Sequence, residues 1–261
     1  IGEVASGSSE LSIYINDVAS YCRSWAGSAF GNTPDRKLYV NDRLVKDLIV
    51  PEGVEYVGNE FFCMKHIESV VLPESLTDIH YYAFGYCTSI KKVVVGNNVT
   101  FMDEYAFRGC DNIKYNVYDG ADYLGNAENP YVICVRGKTD KNSYKIAPGT
   151  KLIADKAFYG KKELYTIVIP ESVVAIGNNA FSEAKINEIY ISDLKKWCEI
   201  DFSDYVGNIS CDVAYFLNGE KITDLVIPDG TRYISARAFS EADIKSLTVP
   251  SSVKSIGEFA F

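Results

Sequence analysis

The sequence predicts a β-rich repeat solenoid: a right-handed, elongated array of 22- to 23-residue coils, with short parallel strands on one face, tight or short helical turns on the other, and hairpin insertions. Three observations predict it. A motif written apolar-x-apolar-Pro, apolar, apolar-Gly, Ala-Phe recurs as LIVPEGVEYVGNEFF (48–62), VVLPESLTDIHYYAF (70–84), IVIPESVVAIGNNAF (167–181) and LVIPDGTRYISARAF (225–239), always with 11 residues from Pro to Phe. The spacing of equivalent positions is solenoid-like: Pro51, Pro73 and Gly96 lie 22 and 23 apart, as do Ala147 and Pro170 (23) and Pro228 and Pro250 (22). Finally, 261 residues with 47% hydrophobic and 23% charged side chains are enough to bury a sizeable core.

Each element of the motif has a physical reason. Apolar residues one and three before Pro, such as Ile167 and Ile169, share one face of an extended strand and point inward, because side chains alternate with period two. Proline then ends the ladder, having no N–H to donate. The next apolar pair, Val173 and Ile176, returns to the core, and Gly58, Gly177 and Gly257 are expected where a turn demands unusual dihedrals. Phe84, Phe107, Phe158, Phe181 and Phe239 are expected to stack at the strand spacing of about 4.8 Å. No coil can bury its own apolar face, so stability comes from neighbour stacking.

The same frame places Asn16, Asp119 and Ser192 at the Pro position, giving ten coil-starting strands in one domain over 1–261. Compact repeats occupy about 48–115, 144–191 and 225–261, and expanded coils occupy 16–47, 119–143 and 192–224. The segments 17–46 and 193–223 each combine a short amphipathic helix with a hairpin, turning at Asn41-Asp42 and Asn218-Gly219. Residues 120–144 read as a hairpin in which the VICV strand follows an Asn-Pro turn and displays Tyr123 and Tyr131. The matching ends IGEVAS and IGEFAF suggest a window of a longer array.

Composition narrows the function. Twenty-six Lys and Arg against 35 Asp and Glu give a formal charge of −9, which opposes the phosphate neutralisation that nucleic-acid binding depends on. No apolar run approaches the roughly 18 to 20 residues of a membrane-spanning helix, so direct membrane insertion is not expected. The 7 cysteines, at 22, 63, 87, 110, 134, 198 and 211, form no CxxC pair, and no metal or cofactor is expected.

At the level of residues, the consensus LxxΦxΦP-[ED]-[GS]-ΦxxΦG-xxAFxxC, with AFGYC (83–87) and AFRGC (106–110), resembles the BspA-type leucine-rich repeat of bacterial cell-surface proteins. Gly96, Asp119, Ala147, Ser192 and Asn16 depart from it at Pro, and Phe61-Phe62 departs from it at Ala-Phe. The resemblance implies an α/β-type leucine-rich repeat solenoid. It also implies a secreted or cell-surface, non-enzymatic, adhesin-like module that binds a protein, such as a host extracellular or cell-surface protein. Carbohydrate stands beside protein as a ligand class that 19 tyrosines leave open.

The outward strand face is the main candidate surface. Two residues before each Pro position stand Tyr14, Ile49, Val71, Val94, Val117, Lys145, Val168, Tyr190, Val226 and Thr248, a mostly apolar column. The column four before is mostly polar: Ser12, Asp47, Ser69, Lys92, Tyr115, Ser143, Thr166, Glu188, Asp224 and Ser246. A β-branched column also suits exposed strands by propensity alone. Two readings compete with a binding role, namely a structural spacer within a longer surface protein and a hydrolase using Cys63 with His66 or His80. Against the hydrolase, Cys87 and Cys110 sit at a core ladder position as stacked, free thiols, Cys22 and Cys198 match each other as core, and His80 occupies an exposed turn.

Overall fold

A computed structural model describes residues 11–23, 36–202 and 213–261. Cys211 and most of the two segments that follow the short helices lie outside the described residues. The chain forms two compact units, one holding the described residues up to Tyr115 together with Leu124–Glu128, the other holding Asn116–Tyr123 and the described residues from Asn129 onward.

The compact coils are built as the motif dictates, with one strand before the Pro position and a second, two-residue strand before the Gly position. In the first unit Asp47–Ile49, Ser69–Val71 and Lys92–Val94 form a parallel sheet in the register Leu48, Val70, Val93. Tyr56–Val57, Asp78–Ile79 and Phe101–Met102 form another, in the register Val57, Ile79, Met102. In the second unit Ser143–Lys145, Thr166–Ile169, Glu188–Ile191 and Ala214–Leu217 align in parallel. There the second strands are Ile133–Gly137, Leu152–Ile153, Ala175–Ile176 and Asp201–Phe202. Asp224–Val226 with Ser246–Thr248, and Tyr233–Ile234 with Ser255–Ile256, make two further parallel pairs.

Phenylalanine stacking is the core of both units. Phe62, Phe84 and Phe107 lie nearly parallel, with centroids 5.5 and 5.0 Å apart, and Phe158 and Phe181 are 5.6 Å apart. The spacing exceeds the strand repeat because stacked rings prefer to slide into offset positions. Phe239 continues not from Phe181 but from Tyr215, at 5.4 Å, and Tyr215 in turn packs against Trp197 at 5.7 Å. Trp197 arrives on the helix Leu194–Cys198, whose N-terminus is capped by Asp193 accepting from the Lys196 N–H. The helix Val18–Arg23 is capped by Asp17 and buries Tyr21 against Phe61 and Phe62.

Turns between coils are keyed to the next coil. Glu52 accepts from the N–H groups of Glu74 and Ser75, and Glu74 accepts from the N–H of Asn97. The Gly53, Gly149 and Gly230 amides donate to the hydroxyls of Ser75, Ser172 and Ser252, one coil further on. The [ED]-[GS] pair of the motif is therefore an inter-coil clasp.

The glycine expectation is corrected. Gly58, Gly177 and Gly257 do not carry positive φ; that conformation falls two residues later, at Glu60, Tyr82, Lys156, Asn179, Arg237 and Phe259. What excludes a side chain at Gly177 and Gly257 is close approach: a Cβ on Gly177 would sit 2.5 Å from the Asp155 nitrogen, and one on Gly257 would collide with the Ala236 backbone.

Both expected hairpins at the expanded coils are present. Arg36–Val40 turns through Asn41 and Asp42 (φ 49° and 63°) into Arg43–Leu44, and Ala214–Leu217 turns through Asn218 and Gly219 (φ 52° and 91°) into Glu220–Lys221. Positive φ at both central residues matches the right-handed twist of the arms. The insertion near 120 carries one arm more than expected. Its hairpin is Asn116–Tyr118 against Ala121–Leu124, turned by Asp119 and Gly120 (φ 46° and 80°). The VICV stretch, in Ile133–Gly137, follows the Asn129-Pro130 turn as expected and lies between Ala121–Leu124 and Leu152–Ile153 in the second-strand sheet. The Asn129-Pro130 turn serves the coil, since Asn129 Nδ2 donates to the Gly149 carbonyl.

Candidate functional site

Strand register assembles the outward column into separate rows. Residues paired across a sheet share a face, so Ile49, Val71 and Val94 form one row, which Val94 extends by a bridge to Gly125. A second row runs Lys145, Val168, Tyr190, Phe216, Lys221. A third is Tyr14, Tyr39, Leu44, and a fourth is Val226 with Thr248. Tyr14, Ile49 and Val226 are 63, 64 and 60% exposed, whereas Val94, Val168 and Tyr190 are half-buried by their row neighbours.

Two aromatic residues of these rows escape the Pro-based frame. Tyr39 stacks on Tyr14 at 4.7 Å and Phe216 stacks on Tyr190 at 4.4 Å, each pair within 14° of parallel. Both stand on strands that precede a hairpin turn instead of a proline. The alternation in RKLYV and AYFL, read with period two, is the signal that marks them.

Other residues of the column are placed differently. Val117 is 57% exposed but belongs to the Asn116–Tyr118 hairpin arm, outside the first-strand rows, because the Asp119-Gly120 turn folds that strand back on itself. The column is also interrupted: the antiparallel arms Arg43–Leu44 and Glu220–Lys221 each end a sheet before the next compact coil begins. Tyr123 is not displayed. It is fully buried, its hydroxyl accepts the Ala147 N–H, and burial raises its phenol far above the ordinary range. Tyr131 is half-buried against Tyr123 and Tyr118.

Beside the apolar rows runs a hydroxyl–carboxylate ladder. Ser69 donates to Asp47, Thr166 to Glu188 and Ser246 to Asp224, each across adjacent coils. The Ser246 hydroxyl, with that of Thr223, holds the Asp224 carboxyl below its ordinary range, so that acid stays ionised and occupied.

Cys63 and His66 do not form a nucleophile–base pair. The Cys63 thiol donates to the Tyr82 carbonyl, and burial pushes it up to about 11. His66 Nε2 accepts from the Leu38 N–H, and burial lowers its pKa. His80 is not an exposed turn residue but half-buried, with its ring against Phe101 at 5.3 Å and Tyr56 at 6.4 Å. Cys87 and Cys110 are free, buried thiols donating to the Phe62 and Phe84 carbonyls, and Cys22 and Cys198 are buried and free as well. Among the described residues, no cluster of three or more His, Cys, Asp or Glu could hold a metal, and no helix is long and apolar enough to cross a membrane.

A family match agrees with this coil geometry. No curated protein sequence matches the chain. Solved structures similar to it include a leucine-rich cell surface protein from Faecalibacterium prausnitzii, 21% identical, covering 87% of this chain and 64% of its own length with a TM-score of 0.40. Thus the chain spans about two thirds of that protein. A leucine-rich repeat protein from Bacteroides ovatus is 14% identical over 80% of this chain and 82% of its own, with a TM-score of 0.30. The pneumococcal vaccine antigen PcpA is 17% identical over 87% of this chain and 61% of its own, with a TM-score of 0.35. The sequence profile described as the BspA type leucine rich repeat region matches in six copies over residues 35–122 and 137–261. With the motif, the paired strands and the phenylalanine stacks all in that frame, the chain belongs to the BspA-type leucine-rich repeat family.

Proposed function

We propose that this chain is a secreted or cell-surface protein-binding module, adhesin-like and without catalytic activity, that uses the outward rows of its first strands. The supporting observation is the row Ile49, Val71, Val94. It presents apolar side chains outward, with Ile49 64% exposed, on a backbone fixed by ladder hydrogen bonds on both sides of Val71. Rigid, apolar, outward-facing rows bind with little ordering cost. The description of the F. prausnitzii relative as a cell surface protein supports the location.

The test is a binding screen of the purified chain against extracellular-matrix proteins and glycans, with a Val71→Lys/Val94→Lys/Val168→Lys variant as control. Saturable binding to a protein, lost in a variant whose circular dichroism is unchanged, is the expected result. Binding that survives the three lysines removes the strand rows from the account. Silence of the parent chain favours a structural spacer.

A further inference from the structure

The repeat supplies its own control for reading side chains. Two positions, eight and nine residues after Pro, hold Asn59-Glu60, Asp155-Lys156 and Asn178-Asn179 in three coils, Ala236-Arg237 in a fourth, and Glu258-Phe259 in the last. Thirteen after Pro, the residue is Glu183 or Glu241 in two coils and Gly109 or Gly160 in two others. The scaffold accepts a polar residue at each of the three places, and glycine at the third. In one coil of the first unit all three are instead tyrosine, Tyr81, Tyr82 and Tyr86, and the next coil adds Tyr105 at the second place, joined by Arg108.

These side chains form one ordered cluster. Tyr82 lies flat between Tyr105 (5.6 Å, 6°) and Tyr86 (5.5 Å, 18°). Tyr81 meets Tyr82 and Tyr105 edge-on, at 4.5 and 5.5 Å, and the Arg108 guanidinium rests over the Tyr105 ring at 4.9 Å. Tyr82 and Tyr86 both adopt left-handed backbone, φ 52° and 57°, a conformation that costs a bulky residue energy. Room is left for them by glycine: a Cβ on Gly85 would press on Tyr82, and one on Gly109 would come within 2.7 Å of Tyr86. Despite this packing the cluster faces water, with Tyr86 52% and Tyr81 43% exposed.

We propose that this tyrosine–arginine cluster is a second recognition surface, and that its partner is a protein segment presenting carboxylates between apolar side chains. Tyr and Arg are the residues enriched where interfaces concentrate their binding energy, and rings already locked by stacking lose little freedom on binding. The ring faces are turned largely toward one another, so a sugar has little open face to stack upon. What points outward is ring edge, which carries partial positive charge, together with phenol hydroxyls and a guanidinium, all of which favour anionic acceptors. The surface lies at the turn after the second strand, apart from the first-strand rows, so the two readings stand or fall separately.

The test uses the whole chain and fluorescence polarisation with three labelled probes: a peptide alternating Glu and Leu, its Lys-for-Glu counterpart, and cellohexaose. Binding of the Glu peptide is expected, at least ten-fold weaker for Arg108→Gln and for Tyr81→Asn/Tyr86→Glu, which install residues the other coils carry. Val71→Ser/Val94→Ser should leave it unchanged. The exposed Arg108→Gln keeps the test decisive if the tyrosine pair disturbs folding. Absence of Glu-peptide binding, equal binding by all variants, or preference for the Lys peptide or cellohexaose would overturn the proposal.

Discussion

Trp197 donates its indole N–H to the carbonyl of Ala238 at 2.8 Å, tying the helix of one expanded coil to the Ala-Phe corner 41 residues further along the chain. Both partners are buried, so the bond is not replaced by water when lost. Trp197→Phe keeps most of the packing but orphans the Ala238 carbonyl, and should cost about 1–3 kcal/mol. Trp197→Ala also opens a cavity against Phe202 and Tyr215, and should cost about 3–5 kcal/mol. The urea midpoints of the two variants, measured against the parent, check the order.

Phe84 has a stacked ring on either side, Phe62 and Phe107. Phe84→Ala should cost about 3–5 kcal/mol, because neighbouring coils held by ladder hydrogen bonds cannot close over the void. Phe261 has one ring neighbour, Phe239, and is 44% exposed. Phe261→Ala should therefore cost clearly less. Thermal melting of the two variants side by side gives the comparison.

Glycines in equivalent motif positions should respond differently to the same substitution. Gly177→Ala and Gly257→Ala push a methyl group into the backbone of the preceding coil and should lower the melting temperature sharply. At Gly58 the nearest atom to a new Cβ is a Phe61 ring carbon at 3.8 Å, ordinary contact. Gly58→Ala should be neutral or slightly stabilising through the unfolded chain. Equal losses at all three positions would show that backbone conformation, not coil approach, selects glycine.

Buried thiols make stability fall at high pH. Burial pushes Cys22, Cys134 and Cys198 to about 12 from an ordinary value of 9.0, so the folded chain keeps them neutral while the unfolded chain ionises. Their contribution is complete below pH 9 and is lost as pH rises from 9 toward 12, with each fully differing group costing about 1.4 kcal/mol per pH unit. Chemical denaturation at pH 8 and pH 10 should show the drop, and a Cys22→Ala/Cys198→Ala variant should show a shallower one. At pH 8, Cys63 should label slowly with a thiol reagent, as a thiol near 11 demands.

Most of the coil was legible in the sequence because its constraints are local. Inward Ile167 and Ile169, the short helices of the expanded coils, and the turns at Asn41-Asp42 and Asn218-Gly219 each follow from residue type and spacing. Less legible was whatever depends on which strand lies next to which. Val117 fits the Pro-based column in sequence but is drawn away by a two-residue turn, while Tyr39 and Phe216 enter the outward rows without a proline to mark them. Tyr123 reads as a loop residue yet fills the core, because its hydroxyl finds the Ala147 amide one coil away. The tyrosine cluster lies in plain sight as HYYAFGY and EYAFR, but its flat stacking depends on the register of two coils.

The clasp between turns has an evolutionary consequence. Glu52 grips the next turn's amides much as Glu74 grips its own successor, so the interface a coil offers on one side complements the one it offers on the other. Recombination that removes or duplicates one whole coil rejoins matching halves of the same clasp. A lineage carrying this gene can therefore lengthen or shorten its protein in steps of 22 or 23 residues without inventing a new junction.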